Sequence, residues 1–302
     1  QIIMPLYLGS RILYGPSGTA PTSPSPTEGS EWWDSTNDKK KIYNGTEWQD
    51  VGVTGGINMA ALDSTFMYFD FGNYSTSSWQ GNTSATTLTN IESGSSTQGV
   101  NLPRGSSAAY NSANGGILRG SGTQDVRTTI SGTNPQGSGG MSMGVVVRFD
   151  SGTDGQQSPS RGVIYFGNTG TNQHFYVRKN FGTANNVSVG QDTNTNDVWT
   201  TAFSSMGSGD GFTVFVFNHA SDGTLTVSKN GGAFSTIRVG GGYISVGTPN
   251  VGLFGDPYND NSSSFDIGAA FWRSSTTTDG EALGWYNYLK SDYGAGANRF
   301  NL

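Results

Sequence analysis

Residues 141–149 read MSMGVVVRF, and the spacing of their apolar side chains indicates the fold class of the chain. The apolar residues on alternate positions are Met141, Met143, Val145, Val147 and Phe149. Because successive side chains of a strand point to opposite faces, this spacing predicts a half-buried β-strand with one apolar face.

Several other stretches predict strands. FTVFVFNH (212–219) is apolar on both faces up to Asn218, which predicts a central strand covered on each side. Residues 224–239 predict a hairpin, because Asn230-Gly231 tolerates the positive φ angles of a two-residue turn. Further short apolar runs predict strands within 66–79 and at 162–168, 174–179, 251–255 and 264–273. With Gly at 46 of 302 residues and few helix formers, this pattern is typical of an all-β sandwich.

One helix is predicted near the end of the chain. Thr278 and Glu281 have the spacing of a capping box, in which each side chain bonds the other residue's backbone amide. The predicted apolar stripe consists of Leu283, Tyr286 and Leu289, with Trp285 alongside, and Gly294 is the predicted stop.

Charge and composition exclude several classes of function. A net charge of −6 and a pI near 4.8 argue against nucleic-acid binding, which needs a clustered basic surface. No stretch approaches the roughly 18 apolar residues that predict a membrane-spanning helix, and the first 15 residues lack the pattern of a signal peptide. The absence of cysteine excludes disulfides and thiolate chemistry.

The N-terminal part of the chain divides into distinct zones. Residues 1–30 are predicted to be an extended arm followed by a linker rich in Pro and Ser, which is unsuited to a sheet interior. Residues 31–57 predict a small Trp-rich hairpin module, and 58–302 the large β domain. The arm is the predicted anchor to a partner protein, through Leu6, Tyr7, Leu8, Ile12, Leu13 and Tyr14.

The tryptophans of EWWDSTNDKKKIYNGTEWQDV (31–51) have more than one interpretation. Asn44-Gly45 is a strong hairpin signal and predicts a three-stranded meander that brings Trp32, Trp33, Tyr43 and Trp48 together. Because so small a sheet buries little surface, packing is the leading interpretation of the rings. Sugar stacking and a protein interface remain alternatives.

This region also resembles a short module that recurs in phage tail fibres and other virion proteins, in which a Pro-rich lead precedes a Trp hairpin. The residues that carry the resemblance are Pro21, Pro24, Gly29, Trp32, Asp34, Ser35, Thr36, Lys41, Tyr43, Asn44, Gly45, Trp48 and Val51. The resemblance covers about 35 residues and implies a place in a virion, assembled in the host cytoplasm, rather than a reaction.

The large domain resembles the laminin-G-like, or concanavalin A-like, jelly-roll superfamily. Three stretches carry this resemblance: FDFGNYSTSSW (69–79), YNSANGGILRGSGTQDVRTTI (110–130) and DIGAAFWRSSTTTDGEALGWYNYLKSDYG (266–294). It implies two packed antiparallel sheets with one short C-terminal helix, a fold that hosts lectins, glucanases and structural modules, so that the site must decide the function.

The sequence offers little support for an enzyme. Glucanases of this fold place Glu-x-Asp-x-x-Glu on one strand, but none of the five glutamates here belongs to such a motif. GMSMG (140–144) satisfies Gly-x-Ser-x-Gly, yet Ser142 enters a strand and not the strand-to-helix turn of a nucleophile elbow. His174 and His219 are far apart and predicted on separate strands. We therefore expect a non-enzymatic protein without a cofactor.

Two binding sites are predicted in loops. DTNTND (192–197) offers calcium ligands at Asp192, Asn194 and Asn196, although Asp197 and Phe203 stand where an EF-hand has glycine and glutamate. The carbohydrate-binding candidates, which combine aromatic rings with an amide, are Tyr74, Trp79, Tyr258 and Asn259.

Two functions follow as hypotheses. In the first, the chain is a tail-fibre or appendage protein, a homo-oligomer with a trimer favoured, whose loops meet host-surface glycans. In the second, it is a capsid decoration protein that the arm fixes to other virion proteins. A polysaccharide-degrading enzyme is the third and least supported interpretation.

Overall fold

A computed structural model describes most of the strand-forming part of the chain. The described residues are 6–8, 11–17, 19–28, 30–34, 39–43, 45–50, 67–71, 87–88, 102–103, 108–111, 114, 116–120, 126–129, 140–149, 161–168, 173–179, 184–193, 197–242, 250–254, 265–290 and 300–302. The chain folds as two compact units, Gln1–Gly56 and Ile57–Leu302, called unit 1 and unit 2.

Unit 1 contains a five-stranded sheet with the order β1-β2-β3-β4-β5. Its strands are β1 (Leu6–Leu8), β2 (Arg11–Ser17), β3 (Glu31–Asp34), β4 (Lys39–Tyr43) and β5 (Trp48–Asp50). All neighbours are antiparallel except β2 and β3, which are parallel. The parallel pair is joined by the proline-rich residues 19–28.

This sheet differs from the sequence prediction. The predicted arm is not a separate extended segment, because β1 and β2 extend the meander of β3, β4 and β5 into one sheet. The physical reason is that Tyr14 of β2 lies opposite Trp32 in the register and packs edge-on against Trp48, with 5.6 Å between ring centroids. Trp32 and Tyr43 also pack against Trp48, in agreement with the leading interpretation of the sequence.

Unit 2 contains a larger sheet of eight strands. Its strands are β6 (Met67–Asp70), β9 (Ala108–Asn111), β10 (Ile117–Gly120), β12 (Met141–Phe149), β17 (Thr213–His219), β18 (Leu225–Lys229), β19 (Ser235–Arg238) and β21 (Phe265–Arg273). The order is β19-β18-β17-β12-β21-β10-β9, and β6 also pairs with β21. As predicted, residues 213–219 form a central strand and residues 225–238 form a hairpin.

The opposing sheet of unit 2 has six strands in the order β11-β20-β13-β14-β15-β16. They are β11 (Val126–Thr129), β13 (Arg161–Asn168), β14 (Gln173–Lys179), β15 (Val187–Thr193), β16 (Asp197–Phe203) and β20 (Asn250–Leu253). Two short strands, β7 (Thr87–Leu88) and β8 (Leu102–Pro103), pair separately. The fold is a two-sheet antiparallel jelly-roll sandwich, as the sequence predicts.

The main core lies between the two sheets. Alternate side chains of β12 supply Met143, Val145 and Val147, and the six-stranded sheet supplies residues such as Phe175 and Val189. All of these side chains are buried. The apolar alternation of the opening stretch therefore faces the second sheet, as expected for a sandwich.

The prediction that β12 is half-buried is wrong. Val146 and Ser142, on the face opposite the main core, are buried as well. Val146 belongs to a second apolar cluster with Phe271 and Trp285, whose ring centroids are 4.8 Å apart. Helix α1 (Asp279–Lys290) supplies Trp285 and so covers the outer face of the eight-stranded sheet.

Helix α1 begins as predicted. The Thr278 amide donates to Glu281 Oε2 at 2.8 Å, and the Glu281 amide donates to Thr278 Oγ1 at 3.3 Å. The predicted apolar stripe is wrong at Leu283, which is 47% exposed, because the helix buries Ala282, Trp285 and Leu289 instead. The predicted stop at Gly294 lies outside the described residues. No helix in the described part of the chain is long and apolar enough to cross a membrane.

Candidate functional site

One row of directly paired residues crosses the six-stranded sheet. From β20 to β16 the row consists of Gly252, Tyr165, Tyr176, Gly190 and Trp199. Directly paired residues of neighbouring strands lie on the same face of a sheet. The row therefore gathers three large aromatic residues, separated by two glycines, on a single face.

This face points away from the main core. Phe166 and Phe175, the sequence neighbours of Tyr165 and Tyr176, belong to the apolar cluster between the sheets. Because side chains alternate along a strand, the tyrosines point to the opposite side. We call this side of the six-stranded sheet the outer face.

The two glycines create the space that the rings occupy. A β-carbon at position 190 would lie 2.6 Å from Tyr176 Cζ and 2.9 Å from Trp199 Cη2. A β-carbon at position 252 would lie 2.4 Å from Tyr165 Cε1. Each ring thus reaches over a neighbouring strand, and the absence of side chains on the glycines makes this possible.

Arg178 lies two residues beyond Tyr176 on the outer face and fixes the rings further. Its guanidinium carbon lies 5.1 Å from the ring centroid of Tyr176 and 4.7 Å from that of Trp199, both within cation–π range. The Tyr176 and Trp199 centroids are 4.4 Å apart, with the rings at 85°. Tyr176 and Arg178 are buried, whereas Trp199 is half-buried on the edge strand β16. Trp199 is thus a partly accessible ring on a rigid base.

The two histidines lie on different sheets. His174 is in β14, buried, and 6.2 Å from Tyr176 between ring centroids. His219 is in β17, and its ring centroid lies 5.4 Å from that of Phe175. Burial lowers the pKa of His219 to about 4, so this side chain is neutral at pH 7. Both are sheet histidines, as the sequence predicts.

Ser142 is placed for a structural role. It lies within β12, buried, and its hydroxyl donates to the Ser275 carbonyl at 2.9 Å and lies 2.8 Å from Thr277 Oγ1. Asn218 holds the same segment, because its amide donates to the Thr277 carbonyl at 2.9 Å. A serine inside a regular strand lacks the strained turn of a nucleophile elbow. The Gly-x-Ser-x-Gly pattern is therefore a chance match.

The residues that the sequence proposed for carbohydrate binding, Tyr74, Trp79, Tyr258 and Asn259, lie outside the described residues. So do Asn194 and Asn196 of the proposed calcium site, while Asp192 lies in β15 opposite His174 and Asp197. Both sites remain predictions. Within the described ranges, no three His, Cys, Asp or Glu side chains are grouped to hold a metal ion.

The outer-face row was not predicted from the sequence. One available signal was HFYVRK (174–179), where His174, Tyr176 and Arg178 alternate with apolar residues. A second was the isolated Gly190 within β15 (VSVGQDT), since a glycine inside a strand marks a close approach. The pairing of three distant strands could not be read from either signal.

Comparison with solved structures shows similar folds. The receptor-binding domain of botulinum neurotoxin type G has a TM-score of 0.51 at 10% identity, over 76% of this chain and 53% of that one. The serotype D binding domain has a TM-score of 0.52 at 10% identity, over 76% and 54%. The serotype D ligand-binding domain in complex with N-acetylneuraminic acid has a TM-score of 0.51 at 10% identity, over 79% of this chain and 56% of that one.

At such low identity these similarities show the fold alone, and the chain spans about half the length of those structures. No protein-family profile matches the sequence. No curated protein sequence matches it either.

Proposed function

We propose that this chain is an appendage component of a bacteriophage virion, and that its jelly-roll unit binds glycans on the host surface. The outer-face row of unit 2 supports the binding role, and the Trp module of unit 1 supports the virion role. The two lines of support are independent, and each has its own test.

Trp199 is the observation that carries the glycan proposal. Sugars stack their apolar faces on aromatic rings, and a ring that is already fixed loses little conformational entropy on binding. Tyr176 and Arg178 fix Trp199 from two directions, at 4.4 Å and 4.7 Å. The half-buried indole therefore presents a preformed stacking surface at the edge of the sheet.

The solved structures help to choose the first ligands. The similar serotype D domain was solved with N-acetylneuraminic acid, and the similar type G domain is named for receptor binding. These names favour a binding role over a catalytic one. They make sialylated glycans the first compounds to screen against this chain.

A glycan array with the full-length chain tests this proposal. We expect saturable binding that Trp199→Ala weakens at least about tenfold. Thr201→Ala is the matched control, because Thr201 is an exposed residue of the same strand. Thr201 pairs with Ser188, and Ser188 pairs in turn with Arg178. Tyr258→Ala tests the loop site that the sequence predicts. An array without signal would contradict glycan binding by this unit.

The virion proposal rests on the resemblance of residues 21–51 to fibre modules. Unit 1 gives that segment a compact aromatic sheet, which suits a connecting piece between virion proteins. We propose other virion proteins as partners and a homo-oligomer, with a trimer favoured. Immunogold labelling of intact particles tests the position, and we expect a small number of copies at the tail.

The alternative proposal is capsid decoration through the N-terminal segment. β1 and β2 form a hairpin at one edge of the unit 1 sheet, in which Leu6 pairs with Leu13 and Tyr7 with Ile12. This edge hairpin favours the alternative, since a strand of a shell protein could pair with it. Hundreds of copies over the shell, with loss of incorporation after deletion of residues 1–15, would support decoration and contradict the appendage role.

A further inference from the structure

Two arginines and one aspartate lie side by side in the eight-stranded sheet. Asp266 of β21 pairs directly with Arg119 of β10 on one side and with Arg148 of β12 on the other. A chain neighbour of each residue belongs to the main core between the sheets, namely Leu118, Val147 and Ile267. Because side chains alternate along a strand, Arg119, Arg148 and Asp266 all lie on the outer face of this sheet. We call Arg119 and Arg148 the arginine pair.

Asp266 holds each guanidinium by two hydrogen bonds. Arg119 donates through Nε to Oδ1 at 2.6 Å and through Nη2 to Oδ2 at 3.0 Å. Arg148 donates through Nε and Nη2 to Oδ2, at 3.1 Å and 2.6 Å. Since both arginines bond Oδ2, their guanidinium groups lie next to each other with one buried carboxylate between them.

An aromatic ring fixes Arg148 from a second side. Its guanidinium carbon lies 4.6 Å from the ring centroid of Phe212, within cation–π range. Phe212 is buried and packs on Phe300, with 4.9 Å between the ring centroids. The fold therefore sets the position of the Arg148 guanidinium, which loses little conformational entropy when it binds a ligand.

The guanidinium of Arg148 has a second edge that Asp266 does not use. Its Nε and Nη2 face the carboxylate, so the edge formed by Nη1 and the remaining N–H of Nη2 points away from it. No group in the described part of the chain accepts a hydrogen bond from Arg148 Nη1. The side chain is 33% exposed, and that of Arg119 is 45% exposed.

The charges of this row favour a further anion. Asp266 supplies one negative charge to two adjacent positive charges, so it compensates only one of them. Guanidinium edges bind carboxylate and sulfate groups through pairs of parallel hydrogen bonds. An excess of one charge suits a single oxyanion group, whereas a polyanion such as nucleic acid would be repelled by the net charge of −6.

We propose that the arginine pair is a binding site for a carboxylate or sulfate group carried by an acidic saccharide. The oxyanion accepts hydrogen bonds from the second edge of Arg148, and the adjacent charge of Arg119 strengthens its binding. This site is separate from Trp199, which lies on the other sheet and stacks an apolar sugar face. Only the saccharide, as the source of the anion, rests on the proposed glycan binding.

NMR signals of the arginine side-chain N–H groups in the full-length chain test the site. Arg119→Lys and Arg148→Lys identify the two signals by their loss. The anionic probes are sodium sulfate and sialyllactose, and the controls are lactose and sodium chloride at matched ionic strength. We expect both signals to shift saturably with each anionic probe and to stay unchanged with lactose and chloride.

Arg148→Lys also tests the role of the second edge. The lysine keeps the positive charge but has no planar edge with paired donors. We expect this variant to bind sulfate and sialyllactose about tenfold more weakly, as measured on the Arg119 signal. Arg238→Lys is the matched control and should bind like the wild type, because Arg238 donates to Gln191 Oε1 at 3.2 Å and lies on the edge strand β19.

The outcomes separate this proposal from glycan binding at Trp199. Unchanged arginine signals with both anionic probes would overturn the site, whatever Trp199→Ala does on the glycan array. So would wild-type affinity in an Arg148→Lys variant that keeps the wild-type circular dichroism. If that variant does not fold, Arg119→Lys, read on the Arg148 signal, should show the loss of affinity instead. Binding of sulfate without sialyllactose would overturn the saccharide as the source of the anion.

Discussion

Gly190 shows how a single residue supports the candidate site. Its missing side chain leaves room for the rings of Tyr176 and Trp199, which an added β-carbon would approach to 2.6 Å and 2.9 Å. We expect Gly190→Ala to cost about 1–3 kcal/mol of unfolding free energy and to weaken glycan binding, because the rings must move. Denaturant titration and the glycan array measure the two effects.

Gly209→Ala is the control for this prediction. A β-carbon at position 209 would have no neighbour within 4 Å, so this variant should keep wild-type stability and binding. If the two variants behave alike, the packing of the rings over Gly190 is not what positions Trp199.

His219 makes the stability of unit 2 depend on pH. Burial lowers the pKa of His219 from 6.5 to about 4, so the unfolded state binds a proton more readily than the folded state between these values. The resulting stability is fully present above pH 6.5 and is lost as the pH falls toward 4. A shift of this size corresponds to roughly 3 kcal/mol.

His219→Gln removes this titration. Between pH 7 and pH 4, we expect the variant to lose roughly 3 kcal/mol less unfolding free energy than the wild type loses. Urea titrations at both pH values measure the difference. Equal slopes for the two proteins would show that His219 does not carry the pH dependence.

At the scale of elements, helix α1 depends on its N-terminal cap. The amide and hydroxyl of Thr278 both donate to Glu281 Oε2, and Arg273 Nη2 lies 2.8 Å from Glu281 Oε1. Partial burial raises the pKa of Glu281, but the hydrogen bonds from Arg273 and Thr278 outweigh it and the net shift is downward.

Thr278→Ala removes one half of the cap. We expect it to cost about 1 kcal/mol, while Asn287→Ala, at an exposed helical position, should stay within about 0.5 kcal/mol of the wild type. Thermal unfolding followed by circular dichroism compares the two variants. An equal cost for both would mean that the capping box does not stabilise the helix.

The outer face of the eight-stranded sheet is also sealed by residues 300–302. The Phe300 ring packs directly on Gly268, where an added β-carbon would lie only 2.3 Å from Phe300 Cε1. The ring centroids of Phe300 and Phe212 are 4.9 Å apart. We expect Phe300→Ala to cost about 3–5 kcal/mol, because it empties a filled core position.

Val239→Ala is the control for Phe300→Ala. Val239 is 82% exposed, so its truncation should change the unfolding free energy by less than about 0.5 kcal/mol. Denaturant unfolding of both variants decides the question. A Phe300 variant as stable as the Val239 variant would mean that residues 300–302 do not seal the sheet.

Elements with a strong local pattern were predictable from the sequence. β17, the β18–β19 hairpin and the start of α1 lie where alternation, Asn230-Gly231 and the Thr278–Glu281 spacing place them. The burial of β12 on both faces was not predictable, because α1 covers Val146 from more than a hundred residues away. The prediction that Leu283 is buried failed for the same reason, since the side of the helix that is buried depends on how the helix packs against the sheet.

At the scale of the whole molecule, the two outer faces of the sandwich differ. The eight-stranded sheet is sealed by an apolar cluster that includes Trp285 and Phe300. The six-stranded sheet instead carries Tyr176, Arg178 and Trp199 on its outer face. The sequence predicted the sandwich but placed binding in the loops, because a row of residues across five strands depends on how the strands pair and cannot be read from a local pattern.

Hydrogen–deuterium exchange of the full-length chain, with and without the glycan that binds best on the array, tests this account most directly. If the outer face is the binding surface, ligand should slow amide exchange in β14, β15 and β16, and Trp199→Ala should abolish the effect. Protection confined to the residues around Tyr74 and Tyr258, which the sequence predicts as a binding site, with these strands unchanged, would contradict the proposed site.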